Sequence, residues 1–224
     1  MGKKYFSQFG EDVVFQALLD HVEWKSGIQA ISPSEKFYVN IGAFAPKQYS
    51  NTYLLSKQGW KGINIDASPG SMDIFKKVLK NDINIEALIS SSTHAVTFYY
   101  WSSPNVMNTV SAEQAKELEL KMGAPKTITI IPKTLANILK ENLPTDQSIG
   151  LLSLDVENHN LEVLRSNDWS KYCPRFIVVE FEGTAYSIEE ILNSELTLFL
   201  NSKGYSVCNW VGLSLFFSRS WPWN

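Results

Sequence analysis

The feature that most constrains this sequence is the regular alternation of short apolar runs with segments of helical periodicity. Each run is long enough for a strand but too short for a helix, which is typical of strands buried on both faces of a sheet. Strands that alternate with helices in this way predict a parallel sheet with helices on both faces and right-handed crossovers. The predicted strands are Phe37–Ile41, Lys61–Asp66, Asn84–Ile89, Gly150–Asp155 and Arg175–Glu180.

Serine, proline and glycine mark the ends of the predicted helices. Ser68-Pro69 is interpreted as an N-cap followed by proline at the first helical position. Two segments carry the capping-box pattern, in which an N-cap serine and a residue three positions later bond each other's backbone: Ser111 with Gln114, and Ser187 with Glu190. The predicted helices are Gly10–Trp24, Ser50–Gln58, Ser68–Lys80, Ser111–Met122, Thr134–Glu141, Asn158–Ser166 and Ser187–Ser202.

The C-terminal part of the sequence departs from the alternation. Tyr205–Trp210 and Leu213–Ser218 predict an antiparallel pair around Val211-Gly212. A plain dinucleotide-binding fold adds only parallel strands, so this hairpin favours the class I methyltransferase sheet, which ends with one inserted antiparallel strand. In the middle of the chain, His94–Trp101 predicts an extra or edge strand and Thr127–Ile131 a further strand.

Composition limits the classes of protein to which the chain can belong. With 224 residues, 44% of them hydrophobic and 19% charged, we expect one folded domain over residues 1–224, with residues 1–36 as an N-terminal helical segment packed on it. The net charge of −3 offers no basic surface for nucleic acid, so no nucleic-acid partner is expected. No apolar run approaches the ~18 residues of a membrane span, and the stretch after Met1 lacks the apolar core of a signal peptide. We therefore expect a cytoplasmic protein, with Trp221-Pro222-Trp223 as an aromatic tail.

Polar residues follow several predicted strands at the sheet edge where ligands bind in open parallel sheets. Asn40 and Gly42 stand at the first of these strand ends. The residues after Gly42 do not continue as G-x-G-x-x-G, which disfavours a pyrophosphate and favours a ligand such as S-adenosylmethionine. Gly42 either lets the backbone approach that ligand or closes a tight turn.

Asp66 ends the second predicted strand, 24 positions beyond Gly42. A carboxylate at this place can accept hydrogen bonds from both hydroxyls of a ribose. The alternative is an N-cap for the next helix, but Ser68 is the better candidate for that role. Ribose binding is therefore the hypothesis for Asp66.

Asp155 and Glu157 stand two positions apart at the end of a later strand, so period-two alternation predicts that both point to the same side. His159 follows at the start of the next helix, and Glu180 ends the neighbouring strand. This group could supply a general base for a hydroxyl, hold a divalent cation, or cap the helix. The sequence leaves these alternatives open.

An ordered set of motifs resembles the FkbM-type S-adenosylmethionine-dependent methyltransferases. The resemblance extends from about Ser7 to Phe217, with the motifs in the order of the family. The motifs are Ser7–Asp12, Phe37–Phe44, Ser50–Tyr53, Gly59–Asp66, Asn108-Thr109, Leu152–Glu157 and Val178–Glu180.

The resemblance implies a class I methyltransferase fold, S-adenosylmethionine as cofactor, and O-methylation of a sugar hydroxyl in a glycan or natural product. For such a reaction, Asp155, Glu157 and His159 are the candidate catalytic residues, as base or as metal ligands. The cofactor contacts that the resemblance implies are Gln8, Asn40, Gly42, Ala43, Asn51, Thr52, Asp66, Ala67 and Ser90.

The chain also departs from the family pattern at defined positions. Asn40 stands where the family usually has Asp, Ala45 replaces a polar residue, and Asn158-His159-Asn160 replaces Gly-x-Asp. An amide can still form hydrogen bonds, but it has no charge to offer a sulfonium or an ammonium. These changes motivate a second hypothesis, a catalytically impaired methyltransferase-like binding or partner subunit.

Overall fold

A seven-stranded sheet forms the centre of the protein, as seen in a computed structural model that describes residues 5–181 and 187–219. The strands are β1 (Phe37–Ile41), β2 (Lys61–Asp66), β3 (Ile83–Glu86), β4 (Val96–Tyr100), β5 (Lys126–Ile130), β6 (Leu151–Leu154), β7 (Phe176–Glu180), β8 (Ser206–Val211) and β9 (Ser214–Ser218). In the main sheet their order is β3-β2-β1-β6-β7-β9-β8.

The first five strands of that order are parallel, and β9 lies antiparallel between β7 and β8. The predicted parallel sheet with a C-terminal antiparallel hairpin is therefore confirmed. Strands β1, β6 and β9 are buried along their whole length, which explains why their sequences are nearly continuous apolar runs.

Eight helices of the described residues accompany the strands. They are α1 (Glu11–Ser26), α2 (Tyr53–Lys57), α3 (Met72–Val78), α4 (Ala112–Met122), α5 (Leu135–Asn142), α6 (Asn160–Arg165), α7 (Ile188–Asn193) and α8 (Glu195–Ser202). No helix in the described part of the chain has the length and apolarity that crossing a membrane requires. The predicted aromatic tail at 221–223 lies outside the described residues.

Two apolar clusters fill the opposite faces of the sheet. On one face, Val39 and Ile41 of β1 belong to a cluster with Ile138 of α5 and Leu200 of α8. On the other face, Tyr38 belongs to a cluster with Phe15, Leu19 and Val22 of α1. Alternate residues of β1 thus face different helices, so α1 is an integral cover of one side of the sheet.

The largest differences from the predicted helix boundaries occur at two helices. The helix predicted from Ser68 begins only at Met72, because Ser68 and Gly70 form a turn in front of it and Ser71 occupies the N-cap position. The helix predicted over Ser187–Ser202 is two helices, α7 and α8. Ser194 separates them, because its hydroxyl accepts the backbone N–H of Thr197 and caps the second helix.

The capping box predicted for α4 is only half formed. The Ser111 hydroxyl accepts the backbone N–H of Gln114 at 3.2 Å, as expected. The Gln114 side chain, however, accepts a hydrogen bond from the hydroxyl of Thr109. The strands before and after α4, predicted as His94–Trp101 and Thr127–Ile131, are β4 and β5, which pair with each other in a separate two-stranded sheet.

Candidate active site

A pocket opens at the carboxyl edge of the main sheet. Ile41 at the end of β1, Asp66 at the end of β2 and Asp155 directly after β6 contribute to its lining. It holds about 770 Å³ of empty space, part of which is open solvent. This is the edge at which ligands of open α/β sheets bind.

The wall of the pocket is largely apolar, and polar groups stand at its two sides. The apolar side chains include Ile41, Ile65, Ala87, Ile89, Phe98 and Val110. Asp66 and Ser68 stand on the β2 side, whereas Asp155, Glu157 and His159 stand on the β6 side. Asn105, Asn108 and Thr109 add polar groups from the segment after β4. Polar groups that converge on an apolar wall are typical of a site for a cofactor or another small molecule.

Gly42 lines this pocket in the left-handed conformation, with φ at 74°. A Cβ at this position would lie 1.7 Å from the backbone oxygen of Asp155. The close approach that requires glycine is therefore that of the chain after β6. The backbone N–H groups of Gly42 and Ala43 both donate to the carbonyl of Ile65, so the turn also ties β1 to β2.

Asp66 accepts hydrogen bonds from the loop after β1 and from the loop after β2, which both line the pocket. Its Oδ2 accepts the backbone N–H of Phe44 at 3.0 Å, and its Oδ1 accepts the backbone N–H of Ser68 at 2.8 Å. Ser68 in turn accepts the side-chain amide of Asn108 and caps no helix, contrary to the prediction. Each oxygen of Asp66 keeps a second lone pair that a ribose hydroxyl could use.

Asn40 lies on the face of β1 opposite Ile41 and does not line the pocket. It belongs to a polar row that crosses neighbouring strands in register, with Ser153 on β6, Asn64 on β2 and Asn84 on β3. The Asn40 amide donates to Oδ1 of Asn64 at 3.4 Å, and the Asn64 amide donates to Oδ1 of Asn84 at 3.0 Å. The row uses the amide of Asn40 as a donor, which a carboxylate cannot be.

Of the cofactor contacts implied by the resemblance, Gly42, Asp66 and Ala67 line the pocket. The others lie outside its lining, and their cofactor contacts stay predictions: Gln8, Asn40, Ala43, Asn51, Thr52 and Ser90. Asn51 donates to the Ser153 hydroxyl beside the polar row. Thr52 is fully buried, and its hydroxyl has no hydrogen-bond partner among the described residues.

The N-terminal motif is held together by its own side chains. Asp12 accepts the Ser7 hydroxyl at 2.7 Å and the backbone N–H of Phe6 at 2.9 Å. Glu11 accepts the hydroxyl of Ser214, which fixes this segment on the β8–β9 hairpin. Gln8 is exposed and makes no side-chain hydrogen bond within the described part of the chain. It is thus the polar residue of the motif with a side chain free for a ligand.

Asp155, Glu157 and Glu180 come together as an acidic cluster. One carboxylate oxygen of each lies within 4.8 Å of the others, so Asp155 and Glu157 lie close together as predicted, and Glu180 joins them. Because β6 ends at Leu154, a turn rather than the strand brings the first two together. Burial, with a smaller contribution from the charge of Asp155, raises the pKa of Glu157. The cluster has the oxygen donors that a divalent cation prefers.

His159 stands at the N-cap position of α6 but forms no side-chain cap there, so the capping alternative is wrong for this residue. Asn160 bonds the turn in front of the helix instead, since its Oδ1 accepts the backbone N–H of Val156. Nε2 of His159 is buried without a hydrogen-bond partner in the described part of the structure. Burial lowers the pKa of His159, against an opposing attraction to Glu162.

Part of the pocket was not predicted from the sequence. Phe98 of β4, the chain after β3, and residues 105, 106 and 108–110 all contribute to the lining. Asn108-Thr109 was the available signal, because the pair belongs to the family motifs. Its role is to anchor this loop: Asn108 donates to Ser68, and the backbone of Thr109 pairs with Tyr99.

The strand order, the antiparallel strand inserted by the final hairpin, and a pocket with an acid at the end of β2 define an α/β methyltransferase of the Rossmann-like class. Residues 40–207 match the family model described as the Methyltransferase FkbM domain. Because the match covers more than half of the chain, the protein belongs to the FkbM methyltransferase family, as the motifs indicated. A search of curated proteins gives no match.

Proposed function

We propose that this methyltransferase uses S-adenosylmethionine to methylate a hydroxyl group of a sugar in a glycan or natural product. One observation carries the proposal: a single pocket has Asp66 on one side and Asp155, Glu157 and His159 on the other. A ligand with a ribose at one end and a reactive cationic centre at the other matches that distribution of charge.

The residues fit this cofactor. The apolar wall around Ile65, Ile89 and Phe98 suits an adenine ring, and Asp66 suits the ribose hydroxyls. When bound, S-adenosylmethionine supplies an electrophilic methyl group. Asp155 and Glu157 would face the positive end of the cofactor, where their negative charges are favourable.

Two groups of this chain can accept the proton of the acceptor hydroxyl. Glu157 is the first, because its raised pKa makes the carboxylate a better base than an exposed one. His159 is the second, because its lowered pKa keeps it neutral and its Nε2 is free to accept. We favour Glu157, which lies beside Asp155 within the acidic cluster.

A divalent cation held by Asp155, Glu157 and Glu180 is the alternative way to activate the hydroxyl, by lowering its pKa. Chelation separates the two mechanisms. A metal-dependent enzyme loses activity with chelator and regains it with magnesium or manganese, whereas the carboxylate mechanism is unaffected.

The experiment measures S-adenosylhomocysteine binding by calorimetry, followed by release of S-adenosylhomocysteine from S-adenosylmethionine with mixed glycans as acceptors. We expect binding and turnover in the wild type. The double variant Asp155→Asn, Glu157→Gln should retain binding and lose turnover, and Asp73→Asn, an exposed acid of α3, is the matched control.

Full turnover by the double variant, with or without chelator, would remove both acids from the mechanism. Failure of the folded wild type to bind S-adenosylhomocysteine would contradict the proposal as a whole. Binding without turnover on any glycan would support the catalytically impaired subunit.

A further inference from the structure

The loop after β1 holds two aromatic residues in an unusual backbone conformation. Phe44 and Tyr49 have φ values of 49° and 54°, in the left-handed region. Bulky side chains rarely adopt this conformation, and such residues concentrate at ligand-binding sites, where the surrounding structure enforces the strain. Two hydrogen bonds fix this backbone: the N–H of Phe44 donates to the carboxylate of Asp66, and the N–H of Ser50, next to Tyr49, donates to the carbonyl of Phe6.

The strained backbone stacks the ring of Tyr49 on that of Phe44, and Phe44 lines the pocket. The rings of Phe44 and Tyr49 are 5.9 Å apart between centroids and inclined by 23°. Phe44 lines the pocket, whereas Tyr49 is 50% exposed. Because the Tyr49 ring is half exposed, packing in the core does not explain why its backbone is kept at a positive φ. Half of the surface of Tyr49 is therefore accessible next to a residue that lines the pocket.

We propose that Tyr49, supported by Phe44, packs against one face of the sugar ring of the methyl acceptor. This inference rests on the proposed function and adds the group that recognises the acceptor. A pyranose presents C–H groups on its faces and hydroxyls at its edge. An aromatic face suits the former, and the carboxylates of Asp155 and Glu157, in the pocket that Phe44 also lines, suit the latter.

Three variants test whether the flat ring of Tyr49 is what matters. Tyr49→Phe keeps the ring without the hydroxyl, Tyr49→Leu keeps an apolar side chain without a ring, and Tyr49→Gly removes the side chain. Trp24→Ala, which removes a 79% exposed aromatic ring of α1, is the control. Calorimetry first gives the affinity of each protein for S-adenosylhomocysteine. Saturation-transfer NMR on the loaded proteins then gives the Kd values of methyl α-D-mannopyranoside, methyl β-D-galactopyranoside and methyl α-L-rhamnopyranoside.

We expect at least one of these glycosides to bind the wild type, with the same Kd in Tyr49→Phe and Trp24→Ala. Tyr49→Leu and Tyr49→Gly should weaken it by about three- to tenfold, as loss of an aromatic contact does. The Tm of Tyr49→Gly should stay close to that of the wild type, because relief of the strain at a positive φ offsets the loss of the ring stacked on Phe44. Affinity for S-adenosylhomocysteine should be unchanged in every variant.

Three results would overturn the inference while leaving the proposed function intact. They are binding of S-adenosylhomocysteine without binding of any glycoside, an unchanged glycoside Kd in Tyr49→Gly, and a loss of S-adenosylhomocysteine affinity in Tyr49→Gly, which would assign the ring to the cofactor. Absence of S-adenosylhomocysteine binding in the wild type would contradict both proposals.

Discussion

Asp66 shows how one side chain can serve both the architecture and the chemistry of a site. Its two oxygens hold the backbone of Phe44 and Ser68, and the same carboxylate lines the pocket. In Asp66→Asn the amide must turn its N–H2 group toward one of these backbone donors, and the charge is lost. We expect affinity for S-adenosylhomocysteine to fall by about 1.5–3 kcal/mol, measured by calorimetry.

The exposed Asp73→Asn variant of α3 serves as the control for the charge change. An Asp66→Asn protein with wild-type affinity and an unchanged Tm would exclude Asp66 from ribose binding.

Glu157 sets the expected pH dependence of turnover. As the base it must be deprotonated, so kcat/KM should rise with pH through a midpoint above the ordinary glutamate pKa of 4.5. Glu157→Gln should lower turnover by ~10²–10⁴-fold and remove this rise, with S-adenosylhomocysteine affinity unchanged. A Glu157→Gln enzyme that keeps a rise with a midpoint below 6.5 would assign the proton to His159, whose pKa is lowered from that value.

The same raised pKa predicts a cost in stability. The folded state favours protonated Glu157, so its contribution to the free energy of unfolding is fully present below pH 4.5 and is lost as the pH rises through the raised pKa. Glu157→Gln, which is neutral throughout, should match the wild type at about pH 4 and be more stable at about pH 7. Urea unfolding at the two pH values measures this difference. If the wild type and Glu157→Gln were equally stable at both pH values, burial would not disfavour the charged form of Glu157.

At the scale of elements, the turn after β1 joins the ends of β1, β2 and β6. Gly42→Ala would force a Cβ to within 1.7 Å of the Asp155 oxygen and place alanine at a φ of 74°. Gly59→Ala is the matched control, because Gly59 also has a positive φ, 88°, but no atom lies within 4 Å of its would-be Cβ. We expect Gly59→Ala to cost about 1–2 kcal/mol and Gly42→Ala more than about 3 kcal/mol in urea unfolding.

Equal destabilisation by the two substitutions would mean that the chain after β6 moves away without cost. The contact between Gly42 and Asp155 would then not determine where the acidic cluster lies.

Element boundaries were harder to predict than the elements themselves. The predicted limits of β1 and β2 are those of the structure. Strand β1 ends before Gly42, whose positive φ cannot continue a strand, and β2 ends with the acid Asp66. The start of α3 did not follow from Ser68-Pro69, since Ser68 bonds Asn108, 40 residues away in the sequence. A local capping signal cannot reveal such a distant competitor.

At the scale of the whole molecule, α1 lies outside the family match yet covers one face of the sheet. Phe15 is 1% exposed and packs edge-to-face against Trp60 and Phe176. Phe15→Ala should therefore lower the free energy of unfolding by about 3–5 kcal/mol, whereas Trp24→Ala on the exposed side of the same helix should have little effect. A Phe15→Ala protein as stable as the wild type would mean that α1 is dispensable for the fold.

The arrangement of the sheet could be predicted from the sequence because it depends on local periodicity. Continuous apolar runs such as those of β1 and β6 are stable only between two layers, and the final hairpin had its own turn at Gly212. The motifs that carry the resemblance likewise identified the family and the acids Asp66, Asp155 and Glu157.

The lining of the pocket depended on contacts between residues far apart in the chain. Gly42 meets Asp155, Glu11 accepts the hydroxyl of Ser214, and Asn40 joins a polar row across neighbouring strands. Sequence periodicity tells which residues alternate along a strand, but the side on which a ligand pocket opens follows from how helices and loops pack on the completed sheet. For this reason the sequence did not reveal that Asn40 joins the polar row and is not among the residues that line the pocket.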